Sequence, residues 1–268
     1  MSLRITHNVE AQNAYNNLNK TSSAISKSMQ RLSSGYRINS ASDDAAGLGI
    51  SESMRSQIRG LGQAQRNIQD GVSMVQTAEG NLDEVHSMLQ RVRELAVQYK
   101  NGSLDTTARA AIQNEANQLS SEITRIGDSA QFNGINLLKA ASTVSFQVGA
   151  NDGQQISVDL VNLSTTVGTS YSSFTTSGTT DISEIDTAIA NVSSARATFG
   201  AVQNRLEHSL SVAGTYQENL TSAESRIRDV DMAEEMVNLT KNQILSQAGT
   251  AMLSQANQAP QSVLRLLG

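Results

Sequence analysis

The chain has no cysteine and no tryptophan, and proline occurs only once among its 268 residues. The absence of cysteine excludes a disulfide framework, a thiol nucleophile and any zinc site built on cysteine. Aromatic residues make up only 3% of the sequence, whereas compact cores of this length normally bury large aromatic side chains. The composition therefore argues against an ordinary globular enzyme and suits long helices that contact one another through small side chains.

The sequence also lacks a strong charge imbalance and long apolar runs. Its formal net charge is -5, which provides no general attraction for nucleic acid or for anionic membranes. No segment reaches the roughly 18 consecutive apolar residues of a membrane span, and the first residues contain no apolar core of a cleaved secretory signal. We therefore expect no nucleic-acid binding and no membrane insertion, and either a cytoplasmic chain or export without a cleaved signal.

The strongest pattern that is present is a stripe of apolar residues spaced three and four apart. Such a stripe predicts one long helix over 45–100 and a second helix over 104–127, with Asp105 as its N-cap. A third stripe, over 182–230, predicts another long helix. Sustained stripes of this kind are typical of coiled-coil-like packing, so we expect the C-terminal arm to return antiparallel along the N-terminal arm.

The middle of the chain follows a different period. Apolar and polar residues alternate over 144–148 and again over 156–160, with turn-forming residues between them at 149–153. This pattern predicts a β-hairpin. Two thirds of the next segment, 164–181, is serine or threonine, and we expect an exposed loop or irregular excursion there.

The two ends of the chain carry narrower apolar stripes that polar residues interrupt. Each end has too little apolar area to offset the cost of ordering about 30 residues in isolation. We therefore expect both ends to form helices that become ordered when they pack against neighbouring molecules. The apolar side chains of these stripes that are expected to make this packing are Ile5, Val9, Leu18, Ile25, Leu32, Met252 and Val263.

These patterns predict a mainly α fold. It consists of long antiparallel coiled-coil-like arms, a small β-hairpin excursion and terminal helices that are ordered on polymerisation. In chain order the predicted regions are an N-terminal helix (1–32), a connector (33–44), a two-helix arm (45–142), a hairpin with a Ser/Thr-rich loop (143–181), a returning arm (182–232) and a C-terminal helix (233–268).

No catalytic or metal-binding pattern stands out in the sequence. His7, His86 and His208 are the three histidines, and none lies in His-Glu-x-x-His or another metal-binding spacing. Acidic pairs such as Asp43-Asp44 are better explained as helix caps than as acid–base pairs. A nucleophile elbow of the Gly-x-Ser-x-Gly type is also missing. We therefore predict no enzyme activity, no metal and no cofactor.

Five blocks of sequence carry a family resemblance. They are LSSGYRINSASDDAAGLGIS at 32–51, NIQDGVSMVQTAEG at 67–80, LQRVRELAVQ at 89–98, AVQNRLEH at 201–208 and ENLTSAESRIRDVDM at 218–232. In this order they resemble bacterial flagellin, the subunit of the flagellar filament, and the resemblance covers roughly 1–140 and 182–268. The short middle segment resembles a form without large outer domains, which implies a thin, smooth filament.

The resemblance implies an extracellular protein that polymerises with itself into a helical filament used for swimming. It implies unfolded export through the flagellar type III apparatus, with an export chaperone on the C-terminal region, and assembly beneath a cap beside the hook-associated proteins. It also implies recognition of the monomer by a Toll-like receptor of the innate immune system through Arg91, Leu95 and Glu115. The C-terminal Val263, Leu264, Leu266 and Leu267 resemble the Leu-rich end that members of this family use for inner-core packing and that cytosolic immune sensors detect.

Three other hypotheses compete with this interpretation. A hook–filament junction protein shares the terminal architecture, although the continuous flagellin-like blocks favour a filament subunit. A flagellin with an embedded metallopeptidase would need His-Glu-x-x-His in a sizeable middle domain, and the sequence has neither. A cytoplasmic coiled-coil signalling module would need a sensor or membrane domain.

Overall fold

The computed structural model describes residues 8–168, 174–175 and 181–267, and it describes side chains throughout these ranges except at 181 and 259–267. The mainly α fold is confirmed. In chain order the elements are α1 (Val9–Ser34), α2 (Ala45–Tyr99), α3 (Thr106–Ser129), β1 (Gln131–Phe132), β2 (Ile135–Asn136), β3 (Thr143–Gln147), β4 (Gln155–Asp159), α4 (Leu163–Val167), α5 (Asp181–Arg228) and α6 (Met232–Leu267).

The chain divides into two compact units. Unit 1 comprises residues 1–56 and 220–268, and unit 2 comprises residues 57–219. Unit 1 contains α1 and α6, and unit 2 contains α3, both hairpins and most of α2 and α5.

In unit 2, α2 and α5 run antiparallel, as the sequence predicts. Arg93 near the end of α2 pairs with Asp186 near the start of α5, with Nε 2.6 Å from Oδ1. Gln65, nearer the start of α2, donates a 2.8 Å hydrogen bond to Gln217, nearer the end of α5. The apolar stripes of both helices lie in one core, whose least exposed members include Ile68, Val75, Leu82, Leu89, Ile185, Val192, Phe199 and Leu206.

Helix α3 adds a third layer to this core. Its N-cap is Asp105, whose side chain accepts a 2.7 Å hydrogen bond from the backbone N–H of Ala108. This carboxylate satisfies one of the donors that lack a partner in the first helical turn. Ile112 and Ile123 point the apolar face of α3 into the core.

The predicted hairpin is formed by β3 and β4. The strands pair antiparallel, with Thr143 opposite Asp159 and Phe146 opposite Ile156. Side chains alternate across β4, so that Ile156 and Val158 are buried while their neighbours are exposed. This is the period-2 pattern of a half-buried strand.

A second, smaller hairpin was not predicted. Strands β1 and β2 pair through two residues each, with Gln131 opposite Asn136. Between them, Asn133 and Gly134 both have positive φ, at 47° and 81°. An Asn-Gly pair with positive φ is the usual signal of a tight hairpin turn, so this dipeptide could have revealed the hairpin.

The expectation of an exposed, irregular loop over 164–181 is wrong in part. Its start lies in α4, which Asn162 caps by accepting a hydrogen bond from the backbone N–H of Thr165. Val167 at the end of α4 is buried, and so is Phe174, whose ring centroid lies 5.7 Å from that of Tyr99. Val167 and Phe174 therefore pack on the core, although serine and threonine dominate this segment. Residues 169–173 and 176–180 lie outside the described part of the chain.

In unit 1, α1 and α6 lie antiparallel. Asn8, the N-cap of α1, donates a 2.8 Å side-chain hydrogen bond to the carbonyl of Ala256. At the other end of α1, Arg31 Nη1 lies 3.5 Å from Glu235 Oε2. Between these contacts, a Cβ added at Gly249 would lie 3.4 Å from Leu18 Cδ1. This is an ordinary van der Waals distance, and it shows that Leu18 of α1 lies over this part of α6.

Candidate self-assembly surface

The segments that connect the terminal helices to α2 and α5 are fastened together in unit 1. Helix α1 ends at Gly35, which has the left-handed conformation with φ at 76°. The Gly35 carbonyl accepts a 3.0 Å hydrogen bond from the Val230 N–H, and the Arg37 N–H donates a 2.7 Å bond to the Arg228 carbonyl. The Arg228 guanidinium also lies 4.7 Å from the centroid of the Tyr36 ring. The connector at 33–44 is therefore anchored at its start to the link between α5 and α6.

Carboxylates fix the remainder of this connector. Asp43 accepts hydrogen bonds from Lys27 Nζ and from the hydroxyl and backbone N–H of Ser40, and these bonds lower the pKa of Asp43 to about 2. Asp44 accepts a 2.8 Å bond from the Gly47 N–H and so caps the start of α2. A hydrogen bond from Arg228 lowers the pKa of Glu52 as well. These carboxylates cap the start of α2 and hold the connector through hydrogen bonds, and the sequence predicts the capping role for Asp43 and Asp44.

Few side chains are fully buried where α1 and α6 meet. Ser28 is buried there, and so are Glu235 and Leu239 on α6. Consequently the contact between the two helices leaves many of their large apolar side chains outside it. The exposed ones are Val9, Tyr15 and Met29 on α1, and Met232, Met236, Val237, Ile244, Leu245 and Met252 on α6.

Helix α6 is apolar on two opposite sides. Leu239 is 7% exposed, whereas Val237 and Ile244 are 67% and 61% exposed. Each α-helical residue turns by about 100°, so Val237 lies about 200° around the helix from Leu239. A groove lined by Met236, Val237, Thr240, Lys241, Ile244 and Leu245 runs along this outer side. A helix with apolar side chains on two sides usually buries both of them, whereas within the described part of the chain this outer side is exposed. We call the exposed apolar residues of α1 and α6 the assembly surface.

The structure places the predicted inner-packing residues in three groups. Val9 and Met252 belong to the assembly surface and are 61% and 64% exposed. Leu18, Ile25 and Leu32 are half-buried. Ile5 lies outside the described residues, and the side chains of Val263, Leu264, Leu266 and Leu267 are not described.

Sequence reasoning missed the residues on the outer side of α6, especially Val237, Ile244 and Leu245. They fall between the positions of the narrow apolar stripe from which the packing of 233–268 is predicted. A count of apolar residues on every side of the predicted helix would have found them, because an amphipathic helix keeps one side polar.

The three residues of the receptor hypothesis lie together in unit 2, but they are not equally accessible. Arg91 Nη2 lies 2.8 Å from Glu115 Oε1, and both side chains are about half exposed. The bond to Glu115 raises the pKa of Arg91, and Glu94 adds to the effect. Leu95 is only 1% exposed and belongs to the core. The expectation of a recognition surface that includes the Leu95 side chain is therefore corrected: Leu95 supports the helix beneath the ion pair.

The described residues contain neither a membrane-spanning helix nor a metal-binding cluster. Over the described ranges, no helix is long and apolar enough to cross a lipid bilayer. Within the same ranges, no three His, Asp or Glu side chains come together as a set that could hold a metal ion.

Two family models match the chain at its two ends. The bacterial flagellin N-terminal helical region matches residues 5–143, and the bacterial flagellin C-terminal helical region matches residues 182–267. Together they cover most of the chain. The segment between them contains nearly all of the β3–β4 hairpin and α4, and it is too short for a large outer domain.

Curated relatives extend this similarity over nearly the full length. The chain is 52% identical to a flagellin of Halalkalibacterium halodurans, over 98% of this chain and 99% of the relative. It is 48% identical to a flagellin of Bacillus subtilis, over 99% of this chain and 100% of the relative. The crystal structure of Bacillus cereus flagellin aligns with 31% identity and a TM-score of 0.50, over 55% of this chain and 88% of that one.

The matched sequence blocks, the paired terminal helices and the near-complete alignments agree with one another. The chain belongs to the bacterial flagellin family and is a structural subunit that polymerises into the extracellular flagellar filament.

Proposed function

We propose that the assembly surface of α1 and α6 makes the contacts between subunits that hold the filament together. The observation that carries this proposal is the set of large apolar side chains that the α1–α6 contact leaves exposed. Soluble proteins rarely leave such a surface uncovered unless a partner binds there. A second copy of this chain is the partner that family membership supplies.

The arrangement supports an open polymer. A surface that contacts a different surface on the next copy does not close on itself and produces a helical filament. Full burial of one valine, leucine, isoleucine or methionine side chain contributes about 1.5–3 kcal/mol. Association costs about 4–15 kcal/mol in lost freedom of motion, so several of these side chains must be buried in each subunit. The assembly surface offers enough of them.

We propose that the terminal regions 1–32 and 233–268 become fully ordered only in the filament, while 45–142, 143–181 and 182–232 form a body that folds before assembly. The core of unit 2 supports the second part, since it buries its own apolar stripes. The contact between α1 and α6 supports the first part, since it leaves many large apolar side chains of both helices exposed for neighbours to bury.

Before assembly, the outer side of α6 needs protection. We propose that an export chaperone covers the C-terminal helix until export, and that the cap and the hook-associated proteins contact the chain in the growing structure. The exposed groove between Met236 and Leu245 supports a chaperone site. Failure of a purified flagellin chaperone to protect this groove in a footprinting experiment would refute that part.

We also propose that a Toll-like receptor recognises the monomer at Arg91 and Glu115. Their ion pair lies on an accessible surface of unit 2. Leu95 packs in the core beneath this pair and supports the helix that carries Arg91. A receptor reporter that responds equally to the native chain and to Arg91→Ala would contradict this proposal.

The function proposed here is structural, without catalysis. The carboxylates with lowered pKa values, Asp43, Glu52, Glu122 and Asp186, are bonded to lysine or arginine side chains. Such pairs hold carboxylates ionised, whereas a general acid needs a raised pKa. A junction protein is a weaker alternative than a filament subunit, because both relatives named above are flagellins that align over at least 99% of their length. Nothing in the described residues favours the signalling module.

The test is a charge placed on the outer side of α6. Val237→Asp should abolish filament formation, because a carboxylate would be buried without a partner at the subunit contact. Val237→Leu is the matched control and should form filaments as the native chain does. Since Val237 is 67% exposed in the single chain, both variants should keep the native circular dichroism spectrum and thermal midpoint. Electron microscopy and sedimentation that show normal filaments of Val237→Asp would refute the proposal.

A further inference from the structure

The methionines of this chain fall into two classes by position. Met29 on α1, and Met232, Met236 and Met252 on α6, are all at least 50% exposed. Met74, in unit 2, is 1% exposed, and Met54 and Met88 are partly buried. All strongly exposed methionines of the described residues therefore lie on the assembly surface.

This distribution matters because of the chain's composition. Cysteine and tryptophan are absent, so methionine is the side chain that a mild oxidant attacks first. A peroxide transfers one oxygen atom to the thioether sulfur: the S–O bond forms, the O–O bond of hydrogen peroxide breaks, and water leaves. The sulfur is oxidised by two electrons and the peroxide is reduced by two. The product, methionine sulfoxide, is polar and can be reduced back enzymatically.

We propose that Met29, Met232, Met236 and Met252 form a redox-sensitive modification site that controls whether a free subunit can join the filament. This inference rests on the proposed role of the assembly surface. Oxidation converts four apolar contacts into polar ones that would be buried without partners, which disfavours the subunit contact. Because the single chain needs none of these side chains for its own core, the oxidised subunit stays folded.

Oxidation affects free subunits and assembled filaments differently. In a free subunit, the four sulfur atoms are open to the oxidant. In a filament, the same side chains are covered by neighbouring subunits, so they are shielded from it. Oxidant therefore blocks the addition of new subunits while leaving existing filament largely unmodified.

The experiment compares three versions of the full-length chain. One is native. The second carries Met29→Leu, Met232→Leu, Met236→Leu and Met252→Leu, which keep apolar volume at the assembly surface. The third carries the matched changes Met54→Leu, Met74→Leu and Met88→Leu, which leave the exposed methionines in place. Each free subunit is treated with hydrogen peroxide, checked by peptide mass spectrometry and circular dichroism, and then polymerised.

We expect peroxide to raise the critical concentration for assembly of the native chain and of the Met54/Met74/Met88 variant by at least tenfold. The variant without the exposed methionines should assemble as well after treatment as before it. Incubation with the two methionine sulfoxide reductases, one for each sulfoxide epimer, should restore assembly of the native chain. Preformed filaments should show slower oxidation at the four positions than free subunits.

Two results would overturn the inference. One is normal assembly of native subunits in which mass spectrometry shows all four exposed methionines to be oxidised. The other is an equal loss of assembly in the variant that lacks them, which would place the damage elsewhere. Failure of the proposed function is separable, because Val237→Asp would then assemble without any oxidant present.

Discussion

The close approach of the β3–β4 hairpin to α2 leads to a prediction with two opposite signs. Gly60 faces Ala150 at the hairpin turn, and a Cβ built on Gly60 would lie 2.9 Å from Ala150 Cβ and 3.3 Å from its Cα. Gly80 lies on the same helix, and a Cβ built there meets nothing within 4 Å. Both glycines lie inside a helix, where alanine is favoured over glycine by about 0.8–1.0 kcal/mol.

Gly80→Ala should therefore raise the free energy of unfolding by close to 1 kcal/mol. Gly60→Ala gains the same helix-propensity contribution to the free energy of unfolding. It also forces the Ala150 backbone away from α2, and such overpacking costs about 1–3 kcal/mol. The helical gain cancels in the difference between the two variants. Gly60→Ala should thus be less stable than Gly80→Ala by about 1–3 kcal/mol.

Urea unfolding followed by circular dichroism measures this difference, provided that the slope with denaturant is the same in both variants. A shifted hairpin would also disturb its hydrogen bond from Asn67 Nδ2 to the Gln147 carbonyl, which is 3.3 Å long. Equal stability of the two variants, with native hairpin contacts in Gly60→Ala, would show that the hairpin does not need a glycine at position 60.

Two further predictions concern the core and the connector. Leu206→Ala should lower the free energy of unfolding by about 2–5 kcal/mol, because Leu206 has no exposed surface and leaves a cavity; a loss below 1 kcal/mol in urea unfolding would contradict the packing described. The lowered pKa of Asp43, about 2 against an ordinary 3.8, means that the folded chain binds a proton at Asp43 less readily than the unfolded chain. Its contribution to stability is therefore present at neutral pH and is lost as the pH falls from about 4 to about 2. Asp43→Asn should flatten the stability profile across this interval, and an unchanged profile would show that the Lys27 and Ser40 bonds contribute nothing.

The sequence predicts the long helices well because their signal is repeated many times. The stripe of α2 recurs over many turns, so single exceptions such as Gln65 do not obscure it. The end of α2 at Tyr99 and the cap at Asp105 follow from local chemistry. The β3–β4 hairpin was also predictable, since its apolar residues alternate on both strands.

Other features depend on tertiary contacts and have a weaker signal in the sequence. The burial of Phe174 against Tyr99 depends on a fold in which distant segments meet, and its serine- and threonine-rich surroundings indicate exposure. Leu95 matches a receptor motif by sequence, but only the structure shows that it faces the core. The second apolar side of α6 is visible in the sequence. However, Val237 and Ile244 lie outside the narrow apolar stripe from which the packing of 233–268 is predicted.

In the proposed filament, neighbouring subunits cover the outer surfaces of the terminal helices. Hydrogen–deuterium exchange of the free chain and of the assembled filament measures this most directly, with peptides from 9–34, 232–258 and, as an internal reference, 75–95. We expect rapid exchange of both terminal helices in the free chain and exchange at least tenfold slower in the filament, while the reference peptide is slow in both. Terminal helices that are already fully protected in dilute solution, and whose protection does not change on assembly, would contradict this expectation.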